Sequence, residues 1–257
     1  IRDNQPDRAD EIIKKIKQCA PENIVFDKLF GVDGKHDFVY CAITVTGTNY
    51  NKTWLNLNLG AEYANINSSH FDPTVSKTGT DAHNEAKTYG SYYQWQRASD
   101  GHEFRGSETT PKLADTWTDT GEAAGKFIIN DNGWVKNNPL LPDNLWQAGE
   151  VGVNNPCPSG YHVPTEQEWQ EFHQVVTGDA YVETDQMWTQ NKLPNLVVAG
   201  TRFFGSGSLG EENDEGIYWS SSGRGIAQYM YFRRDRSGTS ASNIVNAFNV
   251  RCIKDNN

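Results

Sequence analysis

With 257 residues, 36% of them hydrophobic, the chain is long enough for one large domain with a true core, or for a domain with an appendage. Eight tryptophans and eleven tyrosines against that modest apolar share imply a core of a few large rings threaded by much loop. A formal net charge of −10 disfavours a general nucleic-acid or anionic-membrane binder, and no apolar run is long enough for a membrane span.

In chain order, residues 7–19 read as a short amphipathic helix. Ile12, Ile13, Ile16 and Cys19 share one face, Lys14, Lys15 and Lys17 lie off it or at its edge, and Pro21 ends it. Two apolar runs, 24–30 and 38–45, flank the turn Gly31-Val32-Asp33-Gly34 and predict a hairpin. Residues 1–52 are therefore expected to form an accessory helix and hairpin, with 46–52 a polar connector, and residues 53–257 the main domain. Residues 54–60 alternate Leu and Asn and read as a strand. Residues 83–99, carrying Tyr89, Tyr92, Tyr93 and Trp95, are a helix candidate.

Residues 100–155 are rich in Gly, Asn, Asp, Thr and Pro and are expected to be long ordered loops pinned by Trp117, Phe127, Trp134 and Trp146. Thr165 and Glu168 then predict a capping box, with Trp169 and Phe172 on the buried face of the helix that follows. Residues 193–200 read as a short apolar strand and 205–216 as a Gly- and acid-rich loop. Tyr218-Trp219 starts a last sheet, which 228–233 continue and 248–253 close. Helices early and short antiparallel strands late make the class α+β.

In residues 228–233 the period of two points Met230 and Phe232 one way and Tyr229, Tyr231 and Arg233 the other. Arg224, Arg234 and Arg236 lie close by, so a local basic patch sits on an acidic chain. Tyr and Arg beside Ser, Gly and Asn is a composition suited to a binding surface, because rigid amphipathic rings give contact area at low entropic cost. The plainer reading of the same stretch is an ordinary strand with a wet face.

Cys19, Cys41, Cys157 and Cys252 contain no CxxC pair, which argues against a thiolate zinc site. Three disulfide pairings are open to them, as is a set of four buried free thiols. The separations favour Cys19–Cys41 with Cys157–Cys252, and disulfides imply an oxidising compartment.

No catalytic constellation is expected. Ser220 to Ser222 lack a Gly-x-Ser-x-Gly elbow, and the six histidines form neither HExxH nor a spaced metal pair. His102 reads as a loop hydrogen-bonder and His173 as a structural residue. No metal site and no cofactor is expected; calcium is the one ion that Glu211-Glu212-Asn213-Asp214-Glu215 could take, and a solvated acidic turn is the favoured reading.

Five segments in order, TWLNLNLGA (53–61), GSYYQWQRASDGHE (90–103), NPCPSGYHVPTEQEW (155–169), YWSSS (218–222) and FNVRCIKD (248–255), together resemble bacterial FISUMP-type C-type-lectin-like domains. They resemble equally the variable proteins of diversity-generating retroelements, and VPTEQEW is similar to a segment of formylglycine-generating enzymes. The resemblance covers about residues 53–257. It implies a C-type-lectin-like fold with few regular strands, long ordered loops, a C-terminal antiparallel sheet bearing the ligand site, and Cys157 near Cys252. Diversified positions carried over from variable proteins fall on Tyr229, Tyr231, Arg233, Arg234, Arg236, Ser240, Ser242, Asn243 and Asn246, with Gln228 at the margin; the nearby Arg224 is a further candidate ligand-binding residue. Met230, Phe232, Phe248 and Val250 would be fixed scaffold.

The function expected is a ligand-binding, non-enzymatic protein, extracellular or at a bacterial cell surface and compatible with a lipid-anchored precursor. Its partner would be a protein or glycan, not nucleic acid. A structural surface or fimbrial tip module is the alternative. A formylglycine-type oxidoreductase is third, because the copper-binding cysteine pair of those enzymes is missing here: only Cys252 lies near the C-terminus.

Overall fold

Helix α1 (Ala9–Ile16) buries Ala9, Ile12 and Ile16 and leaves its lysines outside. The structure, a computed structural model, describes residues 1–257 apart from Asn4, Asn138, Pro139, Arg224, Asn243, Val245 and Asn257. Strand β1 (Ile24–Phe26) pairs antiparallel with β2 (Val39–Gly47), as the two apolar runs require, and Cys19 is bonded to Cys41 with 5.8 Å between Cα atoms. Residues 46–52 are not a connector. β2 turns at Asn49 (φ 57°) directly into β3 (Tyr50–Leu55), with Gly47 opposite Tyr50 and Ala42 opposite Leu55. The N-terminal hairpin is thus continuous in one sheet with residues on both sides of position 52.

Beyond β3 come α2 (Gly79–His83), β4 (Tyr93–Gln94), β5 (Thr109–Thr110), β6 (Phe127–Ile128), β7 (Tyr161–His162) and α3 (Glu166–Thr177). They are followed by β8 (Thr201–Arg202), β9 (Leu209–Gly210), β10 (Gly216–Gly223), β11 (Ala227–Phe232), β12 (Ser237–Ser242), β13 (Ala247–Phe248) and β14 (Ile253–Lys254). A five-stranded sheet runs β1-β2-β3-β14-β7, a four-stranded one β4-β13-β8-β9 and a three-stranded one β10-β11-β12, while β5 and β6 form a parallel pair. The fold is α+β, with few helices, mostly antiparallel sheets and long loops.

The helix expected over 83–99 does not form. Its backbone carbonyls are taken by side chains from elsewhere: Asn58 donates to Tyr89 O at 2.9 Å and Trp134 Nε1 to Trp95 O at 3.0 Å. Gly90 has φ +78°, and a Cβ there would lie 2.4 Å from Leu59 O. The four rings of this segment are buried because an irregular loop runs through the core. Residues 193–200 are likewise buried but form no strand, since Val197 N donates to the Tyr218 hydroxyl and Gly200 N to Glu215 O.

Residues 54–60 stop being a strand after Leu55, and their asparagines are not a wet face. Asn56 accepts from Cys41 N and donates to Pro73 O; Asn58 accepts from the Arg251 guanidinium. The C-terminal sheet is also differently composed. Residues 248–253 do not close it; they pass beside β10, where Trp219 N donates to Asn249 O, and supply β13 and β14 to the two other sheets. The third strand is instead β12, which sequence alternation did not flag.

Helix α3 starts where expected: the Thr165 hydroxyl accepts from Glu168 N, and the Glu168 carboxylate accepts from Thr165 N. Trp169 and Phe172 pack with Trp54, Tyr218, Met230 and Phe232 in one cluster, and Trp219, Phe248 and Val250 belong to another. Trp54, Trp169, Trp219 and Phe248 are all buried. Cys157 is bonded to Cys252, with 5.9 Å between Cα atoms, across the β7–β14 pairing that sets Ile253 opposite His162.

Candidate functional site

Strand β11 divides two environments. Met230 and Phe232 face α3 and are fully buried, with the Phe232 ring stacked 6.5 Å from Tyr218. Gly216 sits opposite Phe232, where a Cβ would come within 2.2 Å of the ring. On the other face Tyr229 pairs with Trp219 and Ser240, and Tyr231 with Ile217 and Gly238. Tyr229 is only half outward: its ring packs on Phe248 at 5.2 Å and Trp219 at 6.3 Å, and Tyr231 lies 6.2 Å further along.

At the end of β11 the chain reverses through a tight turn in which Arg233 N donates to Arg236 O at 2.8 Å. The turn holds Arg233 opposite Glu215, and their side chains pair at 2.8 Å. Glu215 is nearly buried, so this pair anchors one wall, and its hydrogen bond and charge raise the Arg233 pKa. Burial raises the Tyr231 phenol pKa. Glu215, Tyr229, Tyr231, Arg233, Arg236 and Ser240 line a pocket of about 200 Å³, the size of a single anchoring side chain.

Among the described residues the hydroxyls of Tyr229, Tyr231 and Ser240 make no hydrogen bond, while the only carboxylate in the wall is committed to Arg233. The pocket therefore offers donors and asks for acceptors.

The other residues expected here divide by geometry. Arg234 leaves this face and lies over the Trp188 ring at 4.8 Å, a cation–π contact on the helix side. Gln228, by parity with Met230 and Phe232, also belongs to that side and donates to Ile226 O. Ser242 is on the Tyr229 side, but its hydroxyl accepts from Asn246, whose own oxygen accepts from Phe204 N, so this pair closes a turn. Arg224 and Asn243 fall outside the described residues. Glu215 was missed as a site residue, having been read as part of the acidic turn. The signal for it was register: once Gly216 opposes Phe232, Glu215 must meet Arg233 as an opposite-charge cross-strand pair.

The acidic turn itself is tied down. Glu212 pairs with Arg105 at 2.5 Å, Asn213 accepts from the Tyr89 hydroxyl, and burial raises the Glu211 pKa. A second carboxylate group, Asp100, His102 and Glu103, brings its polar atoms within 4.8 Å of one another. His102 Nε2 accepts from Gln94 N, so Nδ1 carries the proton and donates to Asp100 at 2.8 Å. Arg97 adds a guanidinium 2.7 Å from the same carboxylate. With its facing nitrogen protonated and a cation already in place, this cluster does not fit a metal ion. His173, fully buried, is held by Asp179 O and the Ser237 hydroxyl.

No described helix is long and apolar enough to cross a membrane. A family model described as Fibrobacter succinogenes major domain matches residues 48–254. No curated protein and no solved structure matches the chain.

Proposed function

The chain belongs to the Fibrobacter succinogenes major domain family, and from that premise we propose that it is a non-enzymatic ligand-binding protein of the cell exterior. Its binding face is the outward side of β11 and β12, on a C-type-lectin-like scaffold of the kind that retroelement variable proteins use. The observation that carries this reading is the pocket in which the partner-free hydroxyls of Tyr229, Tyr231 and Ser240 converge with two guanidiniums, Arg233 paired with Glu215 at 2.8 Å and Arg236 held more loosely, 3.5 Å from Asp235. The partner is a protein that inserts an acceptor-rich side chain, a carboxylate first of all, between the two guanidiniums. Aromatic and arginine anchors of this type carry most of the energy at protein interfaces. Both disulfides support an oxidising location.

Variants for testing this must spare the scaffold. Tyr229 packs on the core, and removing Arg233 would strand Glu215, so both would confound folding with binding. The Tyr231→Ala/Arg236→Ala double variant touches only the open wall. An array of purified secreted and surface proteins, probed with the parent chain, is expected to give hits that the double variant loses by about tenfold or more. Hits retained by the double variant would move the site elsewhere. Sequences from sibling isolates differing at Tyr229, Tyr231, Arg233, Arg236 and Ser240, but not at Met230 and Phe232, would support a diversified face.

A further inference from the structure

A second and larger concavity, of about 540 Å³, lies between the 31–37 loop and the main body, away from the Tyr/Arg pocket. Its size is within the range of small-molecule sites, roughly 300–1,000 Å³. The loop that walls it is braced from within: Gly31 N donates to Asp37 at 3.0 Å, and Asn67 donates to the other Asp37 oxygen at 3.3 Å. Three rings, Phe38, Tyr89 and Phe104, line the cavity; the first two are buried, and Phe104, half-buried, is fixed by contact with the His36 ring at 5.0 Å. His36 is in turn pinned 3.0 Å from Glu103.

Around these rings stand polar groups with capacity to spare. Glu62 accepts from Ser68 through one oxygen and leaves the other open. Asn65 accepts from Asn67 N with its oxygen and keeps both amide protons. Among the described residues the Lys35 ammonium and the Ser91 hydroxyl have no partner, and both line the cavity. Arg105, at the rim, is neutralised by Glu212. The spare set therefore holds a cation, an anion, an amide and a hydroxyl beside the partly exposed ring of Phe104.

That mixture selects by exclusion. An anionic ligand would meet Glu62, and a cationic one Lys35. An apolar ligand would satisfy neither charge and would leave the Asn65 amide and the Ser91 hydroxyl without a partner. A polyol ring satisfies both signs, because each hydroxyl donates and accepts, and its C–H face can lie on an aromatic ring. We propose that this groove is a metal-independent binding site for a neutral saccharide, separate from the protein-binding pocket.

The test uses the full chain in EDTA with neutral trisaccharides (cellotriose, xylotriose and mannotriose) and with trigalacturonate. Saturation-transfer NMR detects contact and calorimetry gives affinity. At least one neutral trisaccharide is expected to bind saturably. Glu62→Gln and Lys35→Ala, both at exposed positions, should each weaken it by about tenfold, the loss of one hydrogen bond to a charged group. Tyr231→Ala/Arg236→Ala should leave it unchanged. Absence of saturable binding by every neutral sugar, binding of trigalacturonate alone, or loss in the Tyr231/Arg236 variant but not in the Glu62 variant would each overturn the assignment. Failure of the protein array leaves this result unaffected, so the two sites are tested apart.

Discussion

Two groups of polar side chains in this molecule look alike in sequence and are used in opposite ways. Around Arg251 the donors are spent: the guanidinium binds Asn58 Oδ1 twice, at 2.9 and 3.1 Å, Pro194 O at 3.0 Å and Leu55 O at 3.3 Å, and it also reaches Asn195 O. Around Arg236 and Tyr231 most donors are spare: the Tyr231 hydroxyl has no partner among the described residues, and the Arg236 guanidinium has only an exposed contact with Asp235 at 3.5 Å. The difference teaches that residue type does not separate scaffold from site in a loop-rich fold. What separates them is whether each donor already has its acceptor.

The largest expected effect breaks the spent group. Arg251 carries its charge in full burial with neutral acceptors only, and burial lowers its pKa to about 10. Arg251→Met would orphan several buried oxygens at about 1–3 kcal/mol each, so roughly 3–5 kcal/mol of stability should be lost in urea unfolding. Arg236→Met, at the spare site, should stay within about 0.5 kcal/mol. Equal effects for the two would mean that the distinction between spent and spare donors has no energetic content.

A finer cut runs through the pocket itself. Tyr229→Ala removes ring contacts with Phe248 and Trp219 and is expected to cost roughly 1–3 kcal/mol. Tyr231→Ala, which loses the Tyr229 edge and part of the half-buried surface opposite Ile217 but no contact with Phe248 or Trp219, should cost less, about 0.5–1 kcal/mol. Thermal melts of the two variants check the order. A Tyr231 variant less stable than the Tyr229 variant would make Tyr231 the scaffold residue.

The same distinction explains what could be read from the sequence. The capping box at Thr165 and Glu168, the N-terminal hairpin and the inward turn of Met230 and Phe232 were legible, because each depends on local chemistry or on period two. The disulfide pairings were favoured among three by cysteine separation, with the resemblance placing Cys157 near Cys252, and the structure has both. The apparent helix over 83–99 and the polar face of Asn56 and Asn58 were misread for one shared reason. Side chains distant in sequence replace backbone partners there, and no local pattern records a hydrogen bond from Asn58 to Tyr89 O. The candidate site was legible only as a face. Its pocket needed the register of Glu215 against Arg233 and the departure of Arg234 toward Trp188, both tertiary facts.

The smallest expected effect tests the spent class by titration. His162 is nearly buried between Glu168, 2.9 Å from Nε2, and Asp255, 2.7 Å from Nδ1, joining β7 to the start of α3 and to the C-terminal residues. Burial works against its imidazolium, but the bonds and charges of the two carboxylates outweigh it and raise the pKa above 6.5. A raised folded-state pKa means that the folded protein holds this proton more tightly than the unfolded chain. The stabilisation is therefore fully present below pH 6.5 and is lost as pH rises through the raised value. Glu168 shifts the other way: burial alone would raise it, but His162 and Thr165 lower it below 4.5, so its share is lost only as pH falls through that lowered value. The melting-temperature gap between the parent chain and His162→Gln should be widest in mildly acidic buffer, between those two limits, and should narrow toward alkaline pH. The exposed Lys35→Ala variant should show no such trend. A gap that widens with pH would mean that His162 is neutral in the folded state and that the two carboxylates do not hold its proton.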